Sequence, residues 1–151
     1  MVLPDMEGRH YADAYVTACG AWSGYADGCW VDVEFTLSDP VAYGLFHTET
    51  ENPFTVRGNW QTWPEIAVTA EAGAQVAVFD KHGRGLILDG TFTGGETVRF
   101  DAAMMSVYVG SRYSPEMLTT ASEFFTLAPG GNELELYGCE LMSVTYQERW
   151  V

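Results

Sequence analysis

The sequence predicts an all-β protein, built as an antiparallel β-sandwich with at most one short helix. Segments 31–37, 97–101 and 133–137 alternate apolar and polar residues, which is the period of a half-buried strand. Glycine occurs 16 times, mostly between such segments, and many short strands separated by turns are typical of sandwiches and barrels. The chain lacks an alternation of strands with helices, so a parallel nucleotide-binding sheet is excluded.

The same alternation predicts which side chains face the interior. These side chains are Val31, Val33, Phe35, Leu37, Val98, Phe100, Met142, Val144 and Tyr146. Further strands are predicted at 11–18, 65–70, 75–80, 86–92, 106–109, 124–127 and 141–149. Ser114 is a preferred N-cap residue and Pro115 suits the first helical position, so the one short helix is predicted at 115–122.

A boundary between two units is predicted within 38–44. Asp39-Pro40 ends the strand at 31–37, because proline donates no ladder hydrogen bond and restricts the residue before it. The residues before this point form only two or three strands, too few for an independent domain. We therefore expect 1–42 to be the end of another domain and 43–151 to be a sandwich.

The charge of the chain excludes several partners. Asp and Glu number 21 against 7 Lys and Arg, which gives a net charge of −14 at pH 7. Such a surface repels phosphate, so neither nucleic acid nor an anionic membrane is an expected partner. No apolar run approaches the roughly 20 residues that a membrane span needs.

The sequence offers no convincing catalytic, cofactor or metal site. His10, His47 and His82 are far apart, and phosphate-binding or nucleophile motifs are missing. The acidic side chains that alternate with the apolar set, namely Asp32, Glu34, Glu133 and Glu135, are expected to meet solvent. Asp80, Asp89 and Asp101 are isolated in sequence, whereas a calcium loop needs clustered oxygens. We therefore predict a protein that is not an enzyme and binds no cofactor.

Cysteines and tryptophans each leave alternatives open. Cys19, Cys29 and Cys139 cannot all pair within one chain; three free thiols are expected, with a Cys19–Cys29 disulfide as the alternative. Trp60 and Trp63 occupy a predicted loop, where exposed rings could stack on sugars or anchor a protein interface. The alternative for these rings is that they cover the open end of the core.

Four stretches, taken in order, resemble the distal tail protein (Dit) family of long-tailed bacteriophages. They are Val33-Glu34-Phe35 with Asp39-Pro40-Val41-Ala42-Tyr43, Asn59 to Pro64 with Glu65-Ile66-Ala67-Val68, Gly90 to Asp101 with Gly94-Gly95 inside, and Phe125 to Leu134 with Pro129, Gly130 and Asn132 inside. Each stretch consists of strand and turn residues that many β-proteins share, but their order and spacing span nearly the whole chain. The resemblance implies that these turn residues are structural.

The resemblance also implies a galectin-like β-sandwich, or jelly roll, for 43–151. Residues 1–42 would be the closing strands of an N-terminal ring-forming domain, most of which is missing here, as in a fragment or a prophage remnant. The family forms a hexameric ring in the virion tail tip, which would be assembled in the bacterial cytoplasm. There it would be a non-enzymatic scaffold linking the tail tube to tip and receptor-binding proteins, and this chain alone would be a monomer or small oligomer. The alternative function is a carbohydrate-binding module that attaches to a cell-surface glycan through Trp60 and Trp63.

Overall fold

The computed structural model describes residues 8–25 and 28–151, and within them the regular secondary structure is almost entirely β-strand. The strands are β1 (His10–Tyr11), β2 (Ala14–Cys19), β3 (Ser23–Tyr25), β4 (Gly28–Trp30), β5 (Val33–Leu37), β6 (Ala42–Glu49), β7 (Phe54–Val56), β8 (Glu65–Ala70), β9 (Gly73–Asp80), β10 (Gly85–Phe92), β11 (Thr97–Asp101), β12 (Ser106–Val109), β13 (Arg112–Tyr113), β14 (Gly130–Asn132), β15 (Leu134–Tyr137) and β16 (Cys139–Trp150). Within the described residues the helical structure is a 3₁₀ turn at Pro115–Met117. The predicted all-β class is confirmed.

Two antiparallel sheets form the sandwich. The larger has seven strands in the order β1-β6-β16-β8-β11-β12-β13, and the smaller has three in the order β10-β9-β15. A separate pair, β7 with β14, brings residues 54–56 against 130–132. The long strand β16 lies between β6 and β8, so the end of the chain is central to the larger sheet.

The core lies between the two sheets and follows the predicted alternation. Ile66 and Val68 on β8, and Val98 and Phe100 on β11, are fully buried. They join one hydrophobic cluster with side chains from the smaller sheet, which are Val76, Val78, Leu86, Leu88 and Leu134. Truncating a buried aromatic such as Phe100 to alanine costs about 3–5 kcal/mol of folding stability. Burial of this cluster therefore holds one face of each strand inward and leaves the opposite face outward.

A β-bulge in β16 corrects one part of the predicted core. The pairing of β16 with β8 shifts register between Leu141 and Ser143. Val144 and Tyr146 are buried as predicted, but Met142 is exposed. The extra residue reverses the side-chain alternation N-terminal to the bulge, which a strict period of two cannot anticipate.

Strands β2 to β5 form a narrow ribbon, which we call the β-ribbon and which spans 14–37. β2 pairs with β5, and β3 pairs with β4 nearer the tip; residues 26 and 27 lie outside the described part. Val33 and Phe35 are exposed rather than buried, so the prediction of an interior face was wrong for this segment. Apolar and polar residues alternate as predicted, but within the described residues no second layer of strands covers the apolar side chains of the β-ribbon.

Two other predicted elements also differ. Segment 124–127 buries Phe125 and Leu127, but it forms only an isolated bridge, between Thr62 and Leu127, instead of a strand. The helix expected at 115–122 is reduced to the 3₁₀ turn because the chain then pairs with the edge of β10, where Thr119 N donates to Ile87 O at 2.9 Å. The part of the chain described here has no helix with the length and apolarity of a membrane span.

Candidate functional site

The predicted boundary turn at Asp39-Pro40 fixes the start of β6. Asp39 Oδ2 accepts a hydrogen bond from the Tyr43 hydroxyl at 2.6 Å, and Asp39 Oδ1 accepts one from Val41 N at 3.0 Å. These two bonds, the one from Tyr43 being the stronger, lower the pKa of Asp39, and the shared bond raises the pKa of Tyr43. The Arg149 guanidinium lies 5.4 Å from the centre of the Tyr43 ring. The turn therefore connects the boundary to the end of β16.

The loop that carries both tryptophans is fastened to the end of β16. Asn59 Nδ2 donates to Val151 O, and Val151 N donates back to Asn59 Oδ1, both at 2.8 Å. The carbonyl of Arg149 accepts from Asn59 N at 3.0 Å and from Trp60 N at 3.1 Å. Asn59 is thus a structural residue that holds the loop against the last strand.

Trp63 stands between two anchored residues. Thr62 is buried, donates from Oγ1 to Gln147 O at 2.7 Å, and exchanges two backbone hydrogen bonds with Leu127. Pro64 is buried on the other side, and its carbonyl accepts from Ala102 N at 3.0 Å. The Trp63 side chain is therefore held in place while remaining 38% exposed.

The turn at Gly94-Gly95 is closed by the carboxylate of Glu96. This carboxylate accepts hydrogen bonds from Thr93 Oγ1 at 2.6 Å, from Thr93 N at 2.8 Å and from Gly94 N at 2.8 Å. Led by the Thr93 hydroxyl, these bonds lower the pKa of Glu96 to about 2. Gly95 has a φ of +89°, and its N–H donates to Ala70 O at 2.8 Å, so the turn is tied to β8.

The Pro129-Gly130 turn is stabilised from within. Gly130 has a φ of +89°, close to the value of about +80° that a type II turn requires at its third position. The buried Asn132 donates from Nδ2 to Ala128 O at 2.8 Å and to Gly130 O at 2.9 Å. Asp39, Asn59, Gly95 and Asn132 therefore form hydrogen bonds that hold their turns in the fold.

A concave surface lies on the outer face of the seven-stranded sheet. A depression of about 500 Å³ is lined by Tyr43, Phe46, Trp63, Thr145, Gln147 and Arg149, together with Glu65 and Asp101. A second depression, of about 320 Å³, adds Arg99, Met104, Ser106, Tyr108 and Tyr113 and again includes Glu65 and Asp101. Because they share these two carboxylates, we treat them as one surface, the outer-face groove.

Strand register explains how the groove acquires its polar floor. One row of cross-strand partners runs over β6, β16, β8, β11 and β12, and its members are Thr48, Thr145, Glu65, Asp101 and Ser106. Successive side chains on a strand point to opposite faces. When the inward residues of neighbouring strands fill the core, their outward residues align in rows on the other face. This row places the carboxylates of Glu65 and Asp101 side by side.

Two polar atoms at the groove have no internal partner. Among the described residues, the buried side-chain nitrogen and oxygen atoms without a hydrogen-bond partner are Ser106 Oγ and Arg149 Nε. Ser106 is only 7% exposed and lines the second depression, whereas Arg149 lines the first. Buried polar groups are nearly always hydrogen-bonded in folded proteins, so both atoms mark places where a ligand could supply the missing bond.

The sequence-based candidates separate in the structure. Trp63 lines the groove, but Trp60 does not, although both are exposed. Asp101, which was interpreted as isolated, lies opposite Glu65 on the neighbouring strand. Sequence reasoning missed this pair because alternation assigns a face to each residue but does not reveal which strands are neighbours. Arg99 Nε lies 3.8 Å from Glu65 Oε2.

Other polar clusters have structural roles. His47 Nε2 lies 2.7 Å from Glu148 Oε1, and the His47 ring stacks on Tyr146 with centroids 5.5 Å apart. Within 8–25 and 28–151, no group of three or more His, Cys, Asp or Glu side chains is arranged to hold a metal ion. Cys19, Cys29 and Cys139 are free thiols.

A β-sandwich whose loops are hydrogen-bonded to its last strand, with an outer-face groove and a β-ribbon of exposed apolar side chains, is typical of a structural module within a larger assembly. The chain belongs to the family of siphovirus-type tail components, because residues 57–150 match the C-terminal domain of that family. It is thus a component of a bacteriophage tail. No curated protein sequence matches the chain.

The fold is similar to that of a solved tail protein. This is SPP1 Dit (gp 19.1), described as a paradigm of the hub adsorption apparatus in phages that infect Gram-positive bacteria, with a TM-score of 0.75 and 17% sequence identity. The similarity covers 98% of this chain and 63% of SPP1 Dit. The resemblance to the distal tail protein family, first seen in four short stretches, is confirmed by both comparisons.

Proposed function

We propose that this chain is a non-enzymatic scaffold at the distal end of the tail, where it links the tail tube to tip and receptor-binding proteins. In this proposal 43–151 form the outward-facing sandwich and 1–42 close a ring-forming domain, although β1 joins one edge of the larger sheet of the sandwich. The observation that carries the proposal is that the fold similarity to a tail hub protein includes the β-ribbon as well as the sandwich, since it covers 98% of the chain.

The β-ribbon supports the assignment of 1–42 to a larger domain. An isolated two-stranded ribbon is marginally stable in water, and this one exposes apolar side chains such as Tyr15, Val16 and Phe35. At its outer part Trp22 is 76% exposed and Trp30 is also exposed. Apolar side chains on an open ribbon indicate that further strands or a neighbouring subunit cover them in the assembled tail.

The net charge of the chain supports the idea that ring formation requires the larger domain. Each copy carries a net charge of −14, so copies repel one another unless a specific interface outweighs the repulsion. The β-ribbon supplies only part of such an interface. We therefore expect the 151-residue chain alone to be a monomer or small oligomer, with moderate salt favouring association by screening.

Light scattering coupled to size exclusion tests this proposal. The 151-residue chain is measured at low and moderate salt, beside the same chain fused to a complete ring domain of the family. We expect a hexamer only from the fused protein. A salt-independent hexamer of the 151-residue chain would place the ring interface in the sandwich, and a monomeric fused protein would contradict the hub assignment.

A further inference from the structure

We propose that the outer-face groove binds a short neutral glycan. This inference goes beyond a scaffold role, since a scaffold needs only protein contacts. It depends on four properties of the groove, namely its aromatic walls, its row of carboxylates, its two unpartnered polar atoms and its charge.

The walls of the groove are aromatic. Phe46, which is 71% exposed, and Trp63 line one end, while Tyr108 and Tyr113 are cross-strand partners at the other. The apolar C–H face of a sugar ring can pack on exposed rings such as those of Phe46, Trp63 and Tyr113. The Tyr108 ring lies 4.7 Å from the Arg99 guanidinium.

The polar groups suit hydroxyl groups, which both donate and accept hydrogen bonds. The carboxylates of Glu65 and Asp101 are acceptors at the centre of the groove, and bonds to a charged acceptor are stronger than neutral ones. Ser106, whose Oγ lacks an internal partner, is the cross-strand partner of Asp101, and Arg149, whose Nε lacks one, lines the larger depression. Hydroxyl groups of a bound ligand can supply a hydrogen bond at either residue.

The size of the groove fits a chain of several sugar units. Its larger depression, of about 500 Å³, lies within the range of roughly 300–1,000 Å³ typical of small-molecule sites. The part of the row that lines the groove, from Thr145 to Ser106, crosses three strand spacings, each about 4.8 Å, or roughly 14 Å in all. A ligand lying along this row crosses the strands instead of extending them.

The same geometry argues against other classes of ligand. The net charge of −14 opposes phosphate-bearing or uronic acid polymers, and within the groove Glu65 and Asp101 offset Arg99 and Arg149. An extended peptide binds a sheet mainly through an open strand edge, but the strands beneath the row are paired on both sides from β16 to β12. Recognition on this face is therefore through side chains, which favours a ligand that carries its own hydroxyl groups.

Nuclear magnetic resonance of the whole chain tests the proposal. The indole N–H signals of the 5 tryptophans are followed during titration with neutral hexasaccharides of glucose, galactose, mannose, rhamnose and N-acetylglucosamine. We expect at least one to give a saturable shift of the Trp63 signal, assigned with Trp63→Phe, while the Trp60 signal moves little. Hexalysine and polyphosphate serve as charged probes and should give no saturable shift at Trp63.

Matched variants decide whether the groove is the site. Glu65→Gln keeps the shape of the side chain but removes the charged acceptor, so affinity should fall about tenfold or more. Glu135→Gln, an exposed substitution on the smaller sheet, should leave affinity unchanged, and spectra of each free variant establish that it is folded. Absence of a saturable shift with every hexasaccharide, equal binding by Glu65→Gln, or tighter binding of hexalysine would each overturn the proposal.

Discussion

Gly130 and Gly131 provide a direct test of how the turn between segment 124–127 and β14 is stabilised. A Cβ added at either residue meets no atom within 4 Å, but only Gly130 has a positive φ, of +89°. Steric crowding is therefore absent at both sites, and the two substitutions differ in backbone conformation alone.

The expected magnitudes follow from that difference. Gly130→Ala should destabilise the protein by about 1–2 kcal/mol, because an L-residue is penalised in the left-handed region. Gly131→Ala should be neutral or stabilise by up to about 1 kcal/mol, because alanine restricts the unfolded chain. The gap between the variants should therefore be roughly 1–3 kcal/mol.

Urea unfolding followed by tryptophan fluorescence measures this gap. With a slope of about 2 kcal/mol per molar, the Gly130→Ala midpoint should lie about 0.5–1 M below that of the original chain, with an unchanged slope. Equal midpoints for the two alanine variants would refute the reasoning, since they would show that the positive φ of Gly130 is not imposed by the fold in solution.

Two further predictions concern ionisable groups. Burial alone would raise the pKa of Asp80, but hydrogen bonds from the Arg84 side chain and backbone outweigh this effect and lower the pKa. The ionised Asp80 therefore stabilises the folded protein above about pH 4, and this stabilisation is lost as the pH falls through the folded-state pKa. Asp80→Asn should therefore cost about 2 kcal/mol at pH 7, a figure reduced because Arg84 is partly exposed. In thermal unfolding this cost should shrink as the pH falls below about 4 towards the folded-state pKa of Asp80. Burial raises the pKa of the Cys139 thiol to about 11. Iodoacetamide at pH 8 should therefore label the exposed Cys19 and Cys29 in minutes, but Cys139 only on unfolding. Labelling is measured by mass spectrometry, and equal labelling of the three cysteines would contradict the fold.

Much of the sandwich could be predicted from the sequence because its central strands obey a period of two. β8 and β11 bury one side of each strand, and their alternation marks Val98 and Phe100 as core. Strand β6 was missed because Leu45 and Phe46 are adjacent apolar residues, and both are exposed in the structure. Strand β6 forms through its pairing with β1 and β16, and the local sequence pattern does not reveal which strands are its neighbours.

The candidate site was less predictable than the fold. Loop position alone made Trp60 and Trp63 equivalent, and only the anchoring of Thr62 and Pro64 shows why Trp63 reaches the groove. The pairing of Glu65 with Asp101 depends on which strands are neighbours and on their register. Alternation gives the face of each residue, but long-range pairing decides which residues meet.

The central claim, that this chain is part of the distal tail hub, is tested most directly by locating it on phage particles. Gold-labelled antibodies raised against residues 57–150, the part that matches the tail-component family, are applied to virions and viewed by electron microscopy. We expect label at the distal end of the tail, at the junction with the tip, and none on the capsid. Label distributed along the tail shaft, or on the head alone, would contradict it.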